Sequence, residues 1–315
     1  MNSNMSNYQK ITPKTIFMLA APHSWTPASV IPVVFASILA LSRSAFSVAM
    51  FYILLFAAVL MQSAVNSLND YYDFIRGTDT SSNSPENDDT VLVHNNFNPK
   101  TVRLVGFSFL LVALALGAYV VCTTNYVPLI IGIIGTATVV AYSAGPHPLS
   151  YMPLGEFTSG VVMGILLPVA VYAAMAGSMH WQLFYLCLPL MLGISLIMLT
   201  NNICDIERDR TVRRTTLPIL LGRYKARWVH RVLMLAWVLI VTILLVCNFR
   251  EGLFILPLGL FAGRQSIINL FKATLAPMQR GYHMKDIFTA NLFINGAYAL
   301  CTLVAILLRG FVSFT

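Results

Sequence analysis

The sequence predicts an all-α, polytopic membrane protein with about nine transmembrane helices, and three observations carry that expectation. Of 315 residues 57% are apolar, while only 32 are charged, 20 Lys+Arg and 12 Asp+Glu, against roughly 25% in a soluble domain. The apolar residues come in long runs, whereas a membrane β-barrel alternates them. A bilayer crossing takes ~20 apolar residues, so about 180 such positions supply about nine crossings. A soluble globular enzyme, a disordered chain and a collagen-like chain are excluded.

Taken in order, the runs fall at 25–41, 46–68, 101–122, 126–143, 155–176, 182–201, 231–247, 252–271 and 287–308. The first follows a polar N-terminal stretch and stops at the break 42–45. The second runs into the polar segment 69–100. The third and fourth are separated by 123–125, the fifth and sixth by 177–181, and the seventh and eighth by 248–251. Pro32, Pro168, Pro189 and Pro257 lie in or near these runs, where neighbouring helices can re-satisfy the carbonyls a proline frees.

Charge placement orients the chain. Only Arg43, Arg250 and Arg309 fall on one side of the alternating loops; 17 of the 20 basic residues and 11 of the 12 acidic ones fall on the other. The positive-inside rule makes that side cytoplasmic. The expectation is a multi-pass protein of the cell membrane with its N-terminus and working loops in the cytoplasm. Residues 1–20 form a cytoplasmic segment and 21–315 a single transmembrane domain. The net charge of +8 thus reflects contact with the lipid bilayer, not nucleic acid. Cys122, Cys187, Cys204, Cys247 and Cys301 are scattered singly, so neither a disulfide framework nor a zinc site is indicated. The polar start, with Lys10 and Lys14, does not resemble a removable signal peptide.

Two acidic stretches stand at the ends of even-numbered spans. Asn66, Asn69, Asp70 and Asp73 are three or four residues apart and share one helical face, as do Asn201, Asp205 and Asp209. A single Asn-Asp pair at a helix end is ordinarily a solvated terminus; two such stripes on the same side of the membrane are not. Carboxylates this close repel unless a cation lies between them, and Asp and Asn oxygens suit Mg²⁺ together with substrate phosphates. Such a pair of stripes could stabilise a leaving pyrophosphate while an electron-rich acceptor attacks an allylic carbocation.

The pair N-D-x-x-D (Asn69, Asp70, Asp73) and D-x-x-x-D (Asp205, Asp209) resembles the UbiA-type intramembrane aromatic prenyltransferases, from about residue 20 to the end. Within them the chain looks most like the 1,4-dihydroxy-2-naphthoate polyprenyltransferases of menaquinone synthesis. That finer likeness rests on the stretch from Tyr142 through Gly145, Pro146, Pro148 and Tyr151 to Gly155 and Glu156. It rests also on Arg213 to Gly222 and on the entry from Pro22 to Pro32. The resemblance implies Mg²⁺-dependent transfer of a polyprenyl group from its diphosphate to a dihydroxynaphthoate-like aromatic acceptor, whose carboxylate is lost. It assigns Asp70, Asp73, Asp205 and Asp209 to metal binding and catalysis, with Asn66, Asn69 and Asn201 beside the substrate.

The chain departs from that pattern in having no Arg or Lys between Arg76 and Lys100, where the family usually carries one, and it adds Glu86, Asp88 and Asp89 there. Diphosphate oxygens want basic partners. The 202–230 loop is rich in them, and Arg214, Arg223 and Lys225 are the candidates, the alternative being a positive-inside anchor on anionic lipid. Arg264, inside the eighth span, either snorkels to headgroups or pairs with a motif carboxylate or with substrate. Tyr142 is a candidate catalytic ring, since an aromatic face stabilises a developing cation; Tyr72 is a candidate substrate contact, with an interfacial aromatic belt as the alternative. Gly160 and Gly164 form a G-x-x-x-G packing pair. Two other functions stay open: a divergent paralogue with another donor or acceptor, and a secondary transporter. Transporter sites lie near the midplane, and same-side motifs count against that.

Overall fold

The computed structural model describes residues 8–80 and 90–309, so Glu86, Asp88 and Asp89 lie outside the described residues. Among the described residues there is no strand beyond an isolated bridge between Gln9 and Phe97. The helices are α1 Pro22–Leu41, α2 Val48–Ile75, α3 Pro99–Thr123, α4 Tyr126–Ser143, α5 Gly155–Ala176, α6 Leu188–Cys204, α7 Leu217–Asn248, α8 Arg250–Lys272 and α9 Pro277–Arg309. Eight are long and apolar enough to cross a membrane; α6 is shorter, and Gln182–Leu186 precedes it. Pro189 sits in the first turn of α6, where its missing N–H breaks no helical hydrogen bond. With that short helix counted, the crossings number about nine, and the chain is an integral membrane protein.

Three helices outrun their apolar cores. α2 continues to Ile75, so Asn69, Asp70 and Asp73 belong to its last turns and do not follow its end. α7 starts at Leu217 and not near 231, and the last α-helix starts at Arg280 and not near 287. Polar side chains at these ends do not interrupt the backbone ladder, and Arg stems reach the surface while their apolar parts stay against the protein. Gly222, at φ 72° and ψ 153°, separates a short entry turn from the main length of α7, a conformation open to glycine at little cost.

α1, α5, α6 and α9 are the more buried helices, while α3, α4 and α8 bury only a minor share of their residues. Phe35 of α1 stacks on Tyr298 of α9 with centroids 4.9 Å apart. The Tyr298 hydroxyl donates to Leu186 O at 3.0 Å, and Trp237 Nε1 of α7 donates to Asn295 Oδ1 of α9 at 3.1 Å. Polar groups at this depth must find protein partners, and these tie α9 to its neighbours. α5 and α6 meet backbone to backbone: a Cβ on Gly164 would stand 2.4 Å from Met191 N, and one on Gly160 2.8 Å from Met191 O. The G-x-x-x-G pair is thus a packing device.

Candidate active site

The last turns of α2 and the start of the chain after α6 bring two acidic faces to one end of the bundle. Asn66, Asn69, Asp70 and Asp73 project from α2. Asp205 ends α6 and caps the short helix Ile206–Thr211, which carries Asp209. Asp70, Asp73, Asp205 and Asp209 are all buried, as is Asp79. Below them opens a cavity of about 960 Å³. Asn66, Asn69, Asp70, Asp73, Asp79, Asn201, Arg208, Arg214 and Arg280 stand at its charged end, and its remaining walls, drawn from α1 to α6 and α9, are largely apolar.

Each carboxylate has a defined environment. Asp70 accepts the Leu92 backbone N–H at 3.2 Å, which fixes the short helix Val91–His94 over α2. Asp73 accepts from Asn69 Nδ2 at 3.1 Å and from the Tyr151 hydroxyl at 3.4 Å. Asn69 in turn accepts from Ser143 Oγ at 3.1 Å, linking α2 to the end of α4. Arg214 Nη1 lies 3.4 Å from Asp209 Oδ1 and 3.7 Å from Asp73 Oδ2, and its guanidinium stacks 4.7 Å above the Tyr151 ring. Arg208 reaches Asp205 at 2.6 Å, Asp79 at 3.4 Å and Asp209 at 3.9 Å. Arg280, from the start of the last helix, lies 3.3 Å from Asp205 Oδ1 and donates to Asn201 Oδ1 at 2.6 Å.

Burial and neighbours set the proton affinities. Burial pushes Asp79 up to about 6, with Asp73 adding to the rise and Arg208 opposing it. Burial also pushes Asp209 up to about 6, against the pull of Arg214. For Arg214, burial works against the charge, but Asp73 and Asp209 outweigh it and hold the guanidinium protonated above its usual range. Burial, then the Asp73 charge, raises the Tyr151 phenol.

Asp70, Asp73, Asp79, Asp205 and Asp209 outnumber the guanidiniums of Arg208, Arg214 and Arg280 by two charges. Asp209 Oδ2 is buried with no hydrogen-bond partner. Hard oxygen donors with a surplus of negative charge fit a hard divalent cation. Among the described residues no three His, Cys, Asp or Glu side chains converge on one point, because guanidiniums stand between the carboxylates.

The residues marked out by the sequence divide into three groups. Asn66, Asn69, Asp70, Asp73, Tyr142, Asn201 and Arg214 line the cavity. Asp205 and Asp209 join it through Arg208, Arg214 and Arg280. Three candidate substrate contacts lie elsewhere. Tyr72 is half-buried and packs against Tyr71 and under Arg76, 5.2 Å from its ring. Arg223 pairs with Glu207 and the Leu275 carbonyl, and Lys225 is exposed. Helical rotation explains the last two, since they follow the Gly222 turn onto the outer face of α7. Arg264 covers the Phe261 ring at 3.9 Å and donates to Phe261 O, apart from the carboxylates. Sequence reasoning passed over Arg208, which shares the Asp205 stripe at i+3, and Arg280, which no spacing ties to either motif.

A buried, charged mouth over a largely apolar cavity in a bundle of apolar helices defines the class, an integral membrane protein. The chain belongs to the UbiA prenyltransferase family, which it matches over residues 29–272. It is 32% identical over 207 residues to the 1,4-dihydroxy-2-naphthoate octaprenyltransferase of Bacillus subtilis (strain 168), covering 66% of this chain and 66% of that one, about two thirds of the relative's length. In fold it is similar to a UbiA homolog from Aeropyrum pernix K1, with TM-score 0.64 and 19% identity over 85% of this chain and 96% of that one. It is also similar to a UbiA homolog from Archaeoglobus fulgidus bound to GPP and Mg²⁺, with TM-score 0.61 and 15% identity over 91% and 99% of the two chains.

Proposed function

We propose that this protein transfers a polyprenyl group from an allylic diphosphate to 1,4-dihydroxy-2-naphthoate or a close aromatic relative, at the cytoplasmic face of the cell membrane. Residues 21–315 form the catalytic domain and 1–20 a cytoplasmic lead. One observation carries the reading: the acidic faces of α2 and of the segment after α6 meet through Arg214 at the mouth of an apolar cavity. The likeness to the Bacillus subtilis enzyme supports the acceptor.

Asp70, Asp73, Asp205 and Asp209 would hold Mg²⁺, which when bound stabilises negative charge on the leaving pyrophosphate. Arg208, Arg214 and Arg280 donate to diphosphate oxygens, taking the place among the charges that the Lys- and Arg-free stretch after Arg76 leaves open. The apolar walls hold the polyprenyl chain and keep water from the carbocation, and the Tyr142 ring offers its π face to the developing charge. The allylic C–O bond breaks with its electron pair on pyrophosphate, and the ring carbon forms the new C–C bond. Loss of the carboxylate as CO₂ breaks its bond to the ring and leaves that bond's electron pair on the ring, which restores its aromaticity.

The test is turnover in detergent or liposomes with 1,4-dihydroxy-2-naphthoate, a polyprenyl diphosphate and Mg²⁺, read by mass spectrometry. Prenylated, decarboxylated product that vanishes in Asp70→Ala, in Asp205→Ala and with chelator is the expected result. Diphosphate consumption without naphthoate product would move the acceptor elsewhere.

A further inference from the structure

Gln62 lies two helical turns before Asp70 on α2, about 12 Å deeper at 1.5 Å per residue. It is 8% exposed and lines the cavity. Its Nε2 donates to Ser24 Oγ and to Asn66 Oδ1, both at 3.2 Å, while its Oε1 is buried with no hydrogen-bond partner. The surrounding network fixes which end of the amide is left over. Asn66 Nδ2 donates to the Ala20 carbonyl at 2.9 Å, and a carbonyl can only accept. Asn66 must therefore turn its oxygen to Gln62, and Gln62 must meet it with its NH₂. Ser24 Oγ accepts from both amides and donates to Ala21 O at 2.9 Å, so it has nothing left to give. A buried acceptor without a donor is costly to keep unless a ligand supplies one.

The walls around this acceptor suit a flat ring. Met284 and Phe288 of α9 line the same cavity, and the His23 ring meets Phe288 edge-on with centroids 5.6 Å apart. We propose that the space between α1, α2 and α9 is the acceptor subsite, and that Gln62 sets acceptor specificity by taking a hydrogen bond from a phenolic hydroxyl. In 1,4-dihydroxy-2-naphthoate the hydroxyl beside the carboxylate is closed in an internal hydrogen bond, so the distal hydroxyl is the one that needs Gln62. The proposal deepens the transferase reading and rests on it for the identity of the ring.

The test compares binding of 1,4-dihydroxy-2-naphthoate and its 4-methoxy ether, which cannot donate, by quenching of tryptophan fluorescence in purified full-length protein. The wild type should prefer the free hydroxyl about tenfold, the worth of one hydrogen bond. Gln62→Leu should lose that preference while binding a polyprenyl diphosphate as before. A purely structural role for Gln62, holding Ser24 and Asn66, would weaken both ligands together and overturn the proposal. Equal binding of the two naphthoates by the wild type overturns it whether or not the variant folds, and even if transfer is observed. A wild-type preference for the hydroxyl without any transfer supports the subsite and counts against the transferase reading alone.

Discussion

Asp73 and Asp209, from opposite halves of the sequence, share one guanidinium: Arg214 Nη1 stands 3.7 Å from the first and 3.4 Å from the second. Both carboxylates are buried, so removing the shared cation leaves two charges facing each other, with Arg208 at 3.9 Å from Asp209 as partial compensation. Arg214→Gln should lower stability by about 3 kcal/mol and raise the KM for the diphosphate. Thermal unfolding in detergent and initial-rate kinetics measure the two effects. An unchanged melting temperature would show that the bridge is not the joint between the two halves.

Asp79 and Asp209, both pushed up to about 6 from the usual carboxylate value of 3.8, give the metal-free protein a definite pH response. Between those values the folded state holds more protons than the unfolded chain, so stability falls as pH rises. The melting temperature of chelator-treated protein should therefore decline from about pH 4 to about pH 6 and level off above it. Asp79→Asn should flatten the slope. A melting temperature that climbs through this interval would contradict the burial that raises both groups.

The sequence carried the number of crossings and the two acidic stripes because both are periodic signals: long apolar runs, and Asp or Asn recurring on one helical face. It put Asp70 and Asp73 on one face of α2, the face that lines the cavity, while ending that helix several residues early, since hydropathy falls before the hydrogen-bond ladder does. The cationic side of the site was harder to read. Arg214 and Arg223 are equally basic in sequence, yet the turn at Gly222 sends Arg223 outward. Arg280 reaches Asp205 only because α9 packs beside α6. Such contacts between distant segments leave no local spacing to recognise.

Asp70 has two separable duties. Its carboxylate accepts the Leu92 N–H at 3.2 Å, which anchors the helix Val91–His94, and it is a proposed metal ligand. Asp70→Asn keeps an acceptor oxygen for Leu92 but loses the charge, whereas Asp70→Ala loses both. Limited proteolysis near residues 90–98 should be as slow in Asp70→Asn as in the wild type and faster in Asp70→Ala, while transfer fails in both. Equal protection in all three would mean that the Leu92 contact does not order the segment.

The glycines of the bundle are not alike. A Cβ at Gly164 would stand 2.4 Å from Met191 N and 2.5 Å from its Cα, whereas at Gly132 no atom lies within 4 Å. Backbone cannot swing aside as a side-chain tip can, so Gly164→Ala should cost about 1–3 kcal/mol by forcing α5 from α6. Gly132→Ala should be neutral. The measurement is a pair of melting curves, and equal losses in both variants would show that α5 and α6 approach less closely than this packing requires.

Under the proposed transferase reading, position on the bundle, more than basicity, separates the cations that would serve the diphosphate. Arg208 faces the cavity and touches Asp205, Asp79 and Asp209 within 3.9 Å, while Lys225 is exposed on the outer side of α7. An exposed charge gains little from a distant partner across solvent. Arg208→Gln should therefore raise the KM for the polyprenyl diphosphate at least tenfold, the loss of about 1.4 kcal/mol or more from charge-assisted contacts. Lys225→Gln should leave it within about twofold. Kinetics at fixed acceptor and varied donor separate them, and a comparable rise in both variants would locate the diphosphate outside the cavity mouth, along the basic surface of α7.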